Sequence, residues 1–244
     1  MAKRVLMSPG DLIVGTECGG SDATSGLASN PITGVAGDML IDAGGTYMIS
    51  ELEELLGCSD ILAKRAASDE VAGEVREAIA DAEQRCFAGG RFAWGYGNIM
   101  GGLTSIEEKS YGALAKSGTK PLQGILRKYG LPKHKGFFLQ VGEAGSGWFH
   151  GDPEGVNQFA AHGAHLAMFT TGCGSTTGGL IPVIKVIANP TRMQLIRDNA
   201  DFDATPIING ESTIQKMGSA LYEEILAVAA GKLTRSEVYG HFEV

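Results

Sequence analysis

The stretch 18–30 reads Cys18-Gly19-Gly20-Ser21-Asp22-Ala23-Thr24-Ser25-Gly26-Leu27-Ala28-Ser29-Asn30, a thiol, a carboxylate and several hydroxyls set among glycines. An apolar run at 12–14 precedes it, and a stretch of small residues at 31–42 that predicts a helix follows. A strand passing through glycines into a helix exposes backbone N–H groups at the helix N-terminus, where the positive end of the macrodipole lies. The chemistry of such a seat is anion binding, with a substrate carboxylate or phosphate as the guest. Cys18 and Asp22 add groups able to hold a metal or move a proton. The same residues also read as a tight turn around a core cysteine.

Other segments repeat this chemistry. The apolar run 166–169 leads into Thr170-Thr171-Gly172-Cys173-Gly174-Ser175-Thr176-Thr177-Gly178-Gly179, again strand, glycine, cysteine and hydroxyls. Between 89 and 102, six glycines and three aromatics fall in 14 positions, which predicts a long binding loop rather than a regular element. It runs into 103–110, where Thr104 reads as an N-cap and Glu107 as its capping-box partner. Lys109 and Lys116, seven apart on that helix, share a face; either could reach an anionic ligand, and solvent exposure accounts for each alone. A glycine-rich loop at 142–155 carries Trp148, His150 and Asp152. His150 is a possible base, although His134, His162 and His165 are present too. Lys185 sits in the apolar run 183–187, where a buried charge is costly without an anionic partner, and this ranks it above the other lysines as a site residue.

The elements that must position these groups alternate between strands and helices. Strands are expected at 12–14, 46–50, 135–141, 166–169 and 183–187. Helices are expected from 51–56, over 69–88 with Val71, Val75, Ile79 and Ala82 on one face, over 191–199 and over 212–230. This is an α/β layered fold, a mainly parallel sheet flanked by helices with glycine-rich loops at strand C-terminal ends, where such sheets collect ligands. A chain of 244 residues with 43% apolar content holds an ample core, and no internal boundary stands out, so one domain over 1–244 is expected. A net charge of −8 argues against nucleic acid. No apolar run approaches a membrane span and no signal peptide is evident, so a cytoplasmic location with four reduced cysteines is expected. Asp198, Asp201 and Asp203 do not match an EF-hand loop. Neither a P-loop nor a G-x-G-x-x-G with a spaced acidic partner is present.

Val14-Gly15-Thr16-Glu17-Cys18-Gly19-Gly20-Ser21-Asp22, followed by Ser25-Gly26 and Asn30-Pro31, resembles the signature of the altronate/galactarate dehydratase family, which includes the large subunit of sulfolactate sulfo-lyase. Gly97-Asn98, the run Gly101 through Lys109, Gly112-Ala113, Phe169-Thr170-Thr171-Gly172 with Gly174, and Pro182-Val183-Ile184-Lys185 resemble its later motifs in order. The resemblance implies a lyase that removes water, or sulfite, from a hydroxy acid with a divalent metal, Fe²⁺ or Mn²⁺. Implied catalytic residues are Lys109, Lys185, Asp22 and Glu107, with either lysine as base or fixed cation. Substrate-binding residues are Cys18, Gly19, Gly20, Ser21, Ser25, Asn98, Thr171, Gly172 and Gly174; no metal ligands are assigned. The family's N-terminal domains, or a small partner subunit, would complete the site and hold part of the metal. The chain thus reads as the C-terminal domain, with a homodimer also expected. Cys173 stands where many members have Arg, and the segment 142–158 differs from sugar-acid dehydratases. A non-catalytic acid-binding module is the alternative.

Overall fold

The computed structural model describes residues 5–89, 94–127, 130–141 and 151–243. In chain order the elements are β1 (Ile13–Cys18), α1 (Asn30–Asp42), β2 (Thr46–Ile49), α2 (Ser59–Ala63), α3 (Asp69–Gly89), α4 (Tyr96–Met100), α5 (Ile106–Leu114), β3 (Leu122–Leu126) and β4 (Gly136–Gln140). Then follow α6 (Asp152–Ala161), β5 (Leu166–Thr170), β6 (Val183–Ile187), α7 (Pro190–Ile196), β7 (Phe202–Asp203), α8 (Thr205–Ile208), α9 (Ile214–Ala229) and α10 (Arg235–Tyr239). The seven strands form one parallel sheet in the order β3-β4-β2-β1-β5-β6-β7.

Burial on both faces explains why β2, β4, β5 and β6 read as continuous apolar runs rather than alternating ones. Side chains still alternate in direction along each strand. Val14, Ile49, Met168 and Val186 join the core with α1, α3 and α9. Met48, Phe138, Ala167, Phe169 and Val183 face the other way, against Val156 and Phe159 of α6. The chain builds β2, β3 and β4 on one side of β1 before crossing to β5 on the other. That reversal leaves a crevice at the C-terminal ends of β1 and β5, the place where open parallel sheets bind ligands.

Several local expectations change. The segment 89–102 is not loop throughout, because Tyr96–Met100 makes a short helix. Tertiary anchoring offsets the glycine penalty. Asn98 Oδ1 accepts from Gly95 N at 2.8 Å, its Nδ2 donates to Ser21 O at 3.1 Å, and Ala23 N donates to Gly101 O at 3.0 Å. Gly101 allows this approach, since a Cβ there would lie 2.8 Å from that of Asp22. Asp152 to Gly155 belong to α6, not to a loop. After β2 only a 3-10 turn, Leu52–Glu54, forms where a helix was expected. The cap of α5 is Ser105, one residue later than the pattern predicts, and Glu108 rather than Glu107 reaches back to Thr104. β3 had no counterpart in the sequence reading. Trp148 and His150 lie outside the described residues.

Candidate functional site

β1 delivers Cys18 to the crevice, and β2, its neighbour, ends at Ile49 with Ser50 and Glu51 beyond it. Glu51 is the one non-glycine residue among those described with a left-handed backbone, φ 65° and ψ 65°. Such a conformation costs about 1–3 kcal/mol and persists where its surroundings over-determine it. Here Glu51 Oε2 accepts from the backbone N–H of Cys18 at 2.9 Å. One turn on, Glu54 receives two lysines from α5 and the turn after it: Lys109 Nζ at 2.9 Å on Oε1 and Lys116 Nζ at 3.0 Å on Oε2. Lys116 also lies 3.5 Å from Glu51 Oε2. Donor atoms of Cys18, Glu51 and Glu54 all fall within 4.8 Å of one another. Cys18 Sγ lies 3.0 Å from Ser21 Oγ.

Proximity sets the charges. Burial opposes ionisation of Glu54, but Lys116 and Lys109 outweigh it and hold Glu54 down at about 2. Burial, with Glu54 adding repulsion, pushes Glu51 up to about 8. Burial raises the Cys18 thiol to about 12. Desolvation would strip the lysines of charge, yet nearby Glu54, Cys18 and Glu51 keep both above the ordinary value. At neutral pH, then, two ammonium groups face one ionised carboxylate, and the cluster has a net positive character suited to an anion. Behind it Glu17 is fully buried, accepts from Ser50 Oγ at 2.5 Å and is raised well above its ordinary value by that burial.

The cluster opens into a cleft of about 420 Å³ that reaches Gly19, Gly20, Asp152, Cys173 and the segment Trp94 to Asn98. A second cavity of about 260 Å³ shares Ser21 and Lys109 with the first and extends past Ser25, Asn30, Leu103 and Tyr111.

Of the residues expected in the site, Cys18, Gly19, Gly20, Ser21, Asn98 and Lys109 line the cleft, while Asp22 and Ser25 line the second cavity. The Asp22 carboxylate is engaged as a helix cap. Oδ1 accepts from Thr24 Oγ1 at 2.7 Å and Ser25 N at 3.0 Å, and Oδ2 from Asn189 Nδ2 at 2.6 Å. Thr171, Gly172 and Gly174 line neither cavity but shape the turn that presents Cys173: Gly172 N donates to Gly20 O at 2.8 Å and Gly174 N to Thr171 Oγ1 at 3.0 Å. Glu107 is exposed at the surface and lines neither cavity.

Lys185 is also elsewhere. It pairs in register with Phe169, which pairs with Glu17, so it points to the α6 face. There it is fully buried and donates to Ser236 Oγ at 2.7 Å and Thr177 O at 3.5 Å, joining α10 to the loop after β5. Its partners are neutral groups, and burial lowers its pKa. Lys116, for which solvent exposure sufficed in the sequence, is 1% exposed.

Sequence reasoning missed Glu51, Glu54 and Asp152 as site residues. The available signal was positional: Glu51 and Glu54 lie one turn apart just past the C-terminal end of an apolar strand, where α/β folds bind ligands.

The family model described as D-galactarate/Altronate dehydratase, C-terminal, matches residues 10–244. The chain is 34% identical over 241 residues to (2R)-sulfolactate sulfo-lyase subunit beta of Chromohalobacter salexigens, covering 96% of this chain and 60% of that protein. It is 34% identical over 226 residues to galactarate dehydratase (L-threo-forming) of Escherichia coli, covering 91% and 42%. Altronate dehydratase of Bacillus subtilis is 30% identical over 238 residues, with 96% and 47% covered. The chain spans about half the length of the curated relatives it matches. An α/β sheet whose charged cluster lies past the C-terminal ends of β1 and β2, together with this match over residues 10–244, places the chain in the D-galactarate/altronate dehydratase family, over that family's C-terminal domain.

Proposed function

We propose that the chain is the C-terminal domain of a cytoplasmic lyase that eliminates water from a 2-hydroxy acid carrying a β-hydroxyl. The observation that carries this reading is the cluster of Cys18, Glu51, Glu54, Lys109 and Lys116 opening into the cleft at the switch point. Lys109, which lines both cavities, meets the substrate carboxylate as a fixed cation. Its strengthened charge argues against a role as base. Lys116 keeps Glu54 ionised from behind. Asp152, raised by burial and lining the same cleft, accepts the α-proton and returns it to the departing β-hydroxyl, which leaves as water while the Cα–H electron pair forms the C–C double bond.

Cys18, Glu51 and Glu54 would hold Fe²⁺ or Mn²⁺ only once Cys18 and Glu51 release their protons and the two lysines leave the Glu54 oxygens, because the cluster as it stands favours an anion. When bound, such an ion would supply Lewis acidity that acidifies the α-proton. N-terminal domains, or a small partner subunit, complete the site in this reading.

The test is a lyase assay with altronate, galactarate and sulfolactate, with Fe²⁺ or Mn²⁺, on the chain alone and mixed with a family N-terminal portion. Water elimination that disappears in Lys109→Ala and Asp152→Asn supports the reading. Sulfite release from sulfolactate alone would replace it with a carbon–sulfur lyase, and no turnover in any mixture from a folded chain would leave an acid-binding module.

A further inference from the structure

Two features beside the charged cluster have no part in the chemistry above: the buried carboxyl of Glu17 and the left-handed backbone of Glu51. Both lie where β1 and β2 part. The strands pair from Ile13 with Thr46 to Thr16 with Ile49, and the same register would next pair Glu17 with Ser50 and Cys18 with Glu51. Main-chain pairing fades there, since Ser50 N reaches Thr16 O only at 3.4 Å before the chain turns left-handed. Side chains take over from the backbone. Ser50 Oγ donates to Glu17 Oε2 at 2.5 Å, and Cys18 N donates to Glu51 Oε2 at 2.9 Å. Two consecutive residues of β1 thus hold two consecutive residues beyond β2. Glu17 is itself fixed from the far side by the first turn of α6, where a Cβ on Gly155 would lie 2.3 Å from Glu17 Oε2. A non-glycine residue stays left-handed only where its surroundings over-determine it, and these contacts are that constraint. The bend leads directly into the 3-10 turn Leu52–Glu54, which brings Glu54 to Lys109 and Lys116.

We propose that Glu17 and Ser50 are positioning residues of the cleft: their hydrogen bond holds Glu51 in its left-handed turn, so that the Glu51 carboxyl stays on the Cys18 N–H and Glu54 stays between Lys109 and Lys116. The consequence for turnover rests on the hydroxy-acid reading above, through Lys109; the placement of Glu51 does not. Glu17 acts here as a hydrogen-bond acceptor from Ser50, a role that a side-chain amide oxygen can fill equally well.

The test is amide hydrogen exchange of the chain, followed residue by residue by NMR. Cys18 and Gly19 are adjacent, yet the Cys18 N–H is held by the Glu51 side chain and the Gly19 N–H by Thr170 O at 2.8 Å. Ser50→Ala is expected to speed exchange at Cys18 about three- to tenfold, the worth of one hydrogen bond, while Gly19 changes by less than about twofold. A general loss of stability would move both amides together. Glu17→Gln keeps an acceptor for Ser50 and should hold Cys18 within about twofold of the parent, whereas Glu17→Leu should match Ser50→Ala. In the complete enzyme Ser50→Ala should lower kcat/KM at least about tenfold, with Glu17→Gln restoring it to within about threefold of the parent. Unchanged exchange at Cys18 in Ser50→Ala, equal acceleration at Cys18 and Gly19, or a Glu17→Gln variant as fast at Cys18 as Ser50→Ala overturns the positioning role. Selective acceleration at Cys18 with kcat/KM unchanged overturns its link to the cleft. The same acceleration in a protein whose parent turns over no hydroxy acid supports the placement and overturns the hydroxy-acid reading alone.

Discussion

Replacing Lys116 with alanine tests the electrostatic design of the cluster most directly. Lys116 is 1% exposed, Glu54 is 3% exposed, and Nζ and Oε2 are 3.0 Å apart. Removing one member of such a pair strands a buried charge, at a cost of about 3–5 kcal/mol. The titration of Glu54 agrees in sign: against the opposing effect of burial, Lys116 together with Lys109 holds it down at about 2 from an ordinary 4.5. Urea unfolding at neutral pH should therefore show Lys116→Ala less stable by about 3–4 kcal/mol, and its melting temperature lower by roughly 10 °C for a chain of this size. The pH dependence has a definite sign. Because folding lowers the Glu54 pKa, its contribution is complete above pH 4.5 and drains away as pH falls toward 2. The parent should lose more stability across that window than Lys116→Ala, since the variant has already lost the largest source of the shift. A double-mutant cycle with Glu54→Gln should give a coupling above ~2 kcal/mol. A single-variant loss below ~1 kcal/mol, with additive energies in the cycle, would refute the reasoning.

Four further outcomes are expected. Lys109→Ala should lower lyase activity of the complete enzyme by at least about 100-fold, measured as kcat/KM, whereas Lys185→Met should leave it within about twofold because Lys185 lies on the α6 face. Lys185→Met should also match or exceed the parent in urea stability at neutral pH. Burial lowers the pKa of Lys185, so the parent gains stability as pH rises toward 10.5, and the advantage of methionine should shrink there. Gly172→Ala would put a Cβ 2.2 Å from Asp22 Cγ, and calorimetry should find a loss of about 1–3 kcal/mol from displacing that cap. Fe²⁺ or Mn²⁺ at about 100 times its dissociation constant should stabilise the chain by about 2.7 kcal/mol in thermal unfolding, an increment absent in Cys18→Ser with Glu51→Gln; equal increments in both would argue against a metal at this cluster.

The sequence by itself determined the class of fold and the family. Apolar runs at β1, β2, β4, β5 and β6, bounded by glycines and separated by helical patterns, are a local record of strands buried on both faces, and the ordered motifs around Cys18, Asn98 and Lys109 carried the resemblance that the comparisons show. It also pointed to Cys18 and Ser21, because a glycine turn after a strand is locally encoded chemistry, whereas Lys109, on α5, was marked out by the resemblance and solvent exposure otherwise accounted for it. Tertiary structure decided the rest. Whether Lys185 faced the cleft or α6 depended on strand register, since one residue of offset reverses every side chain. Glu51 and Glu54 resembled an ordinary helix start, and Lys116 an ordinary surface lysine. Only the folding of α5 and its following turn over the end of β2 brought their charges within 3.0–3.5 Å. Likewise the glycine-rich segment before α5 is helical at Tyr96–Met100 because Ser21 and Ala23 supply hydrogen-bond partners across the chain. Local sequence specifies which chemistry is available; long-range packing sets which charges meet and what protonation they keep.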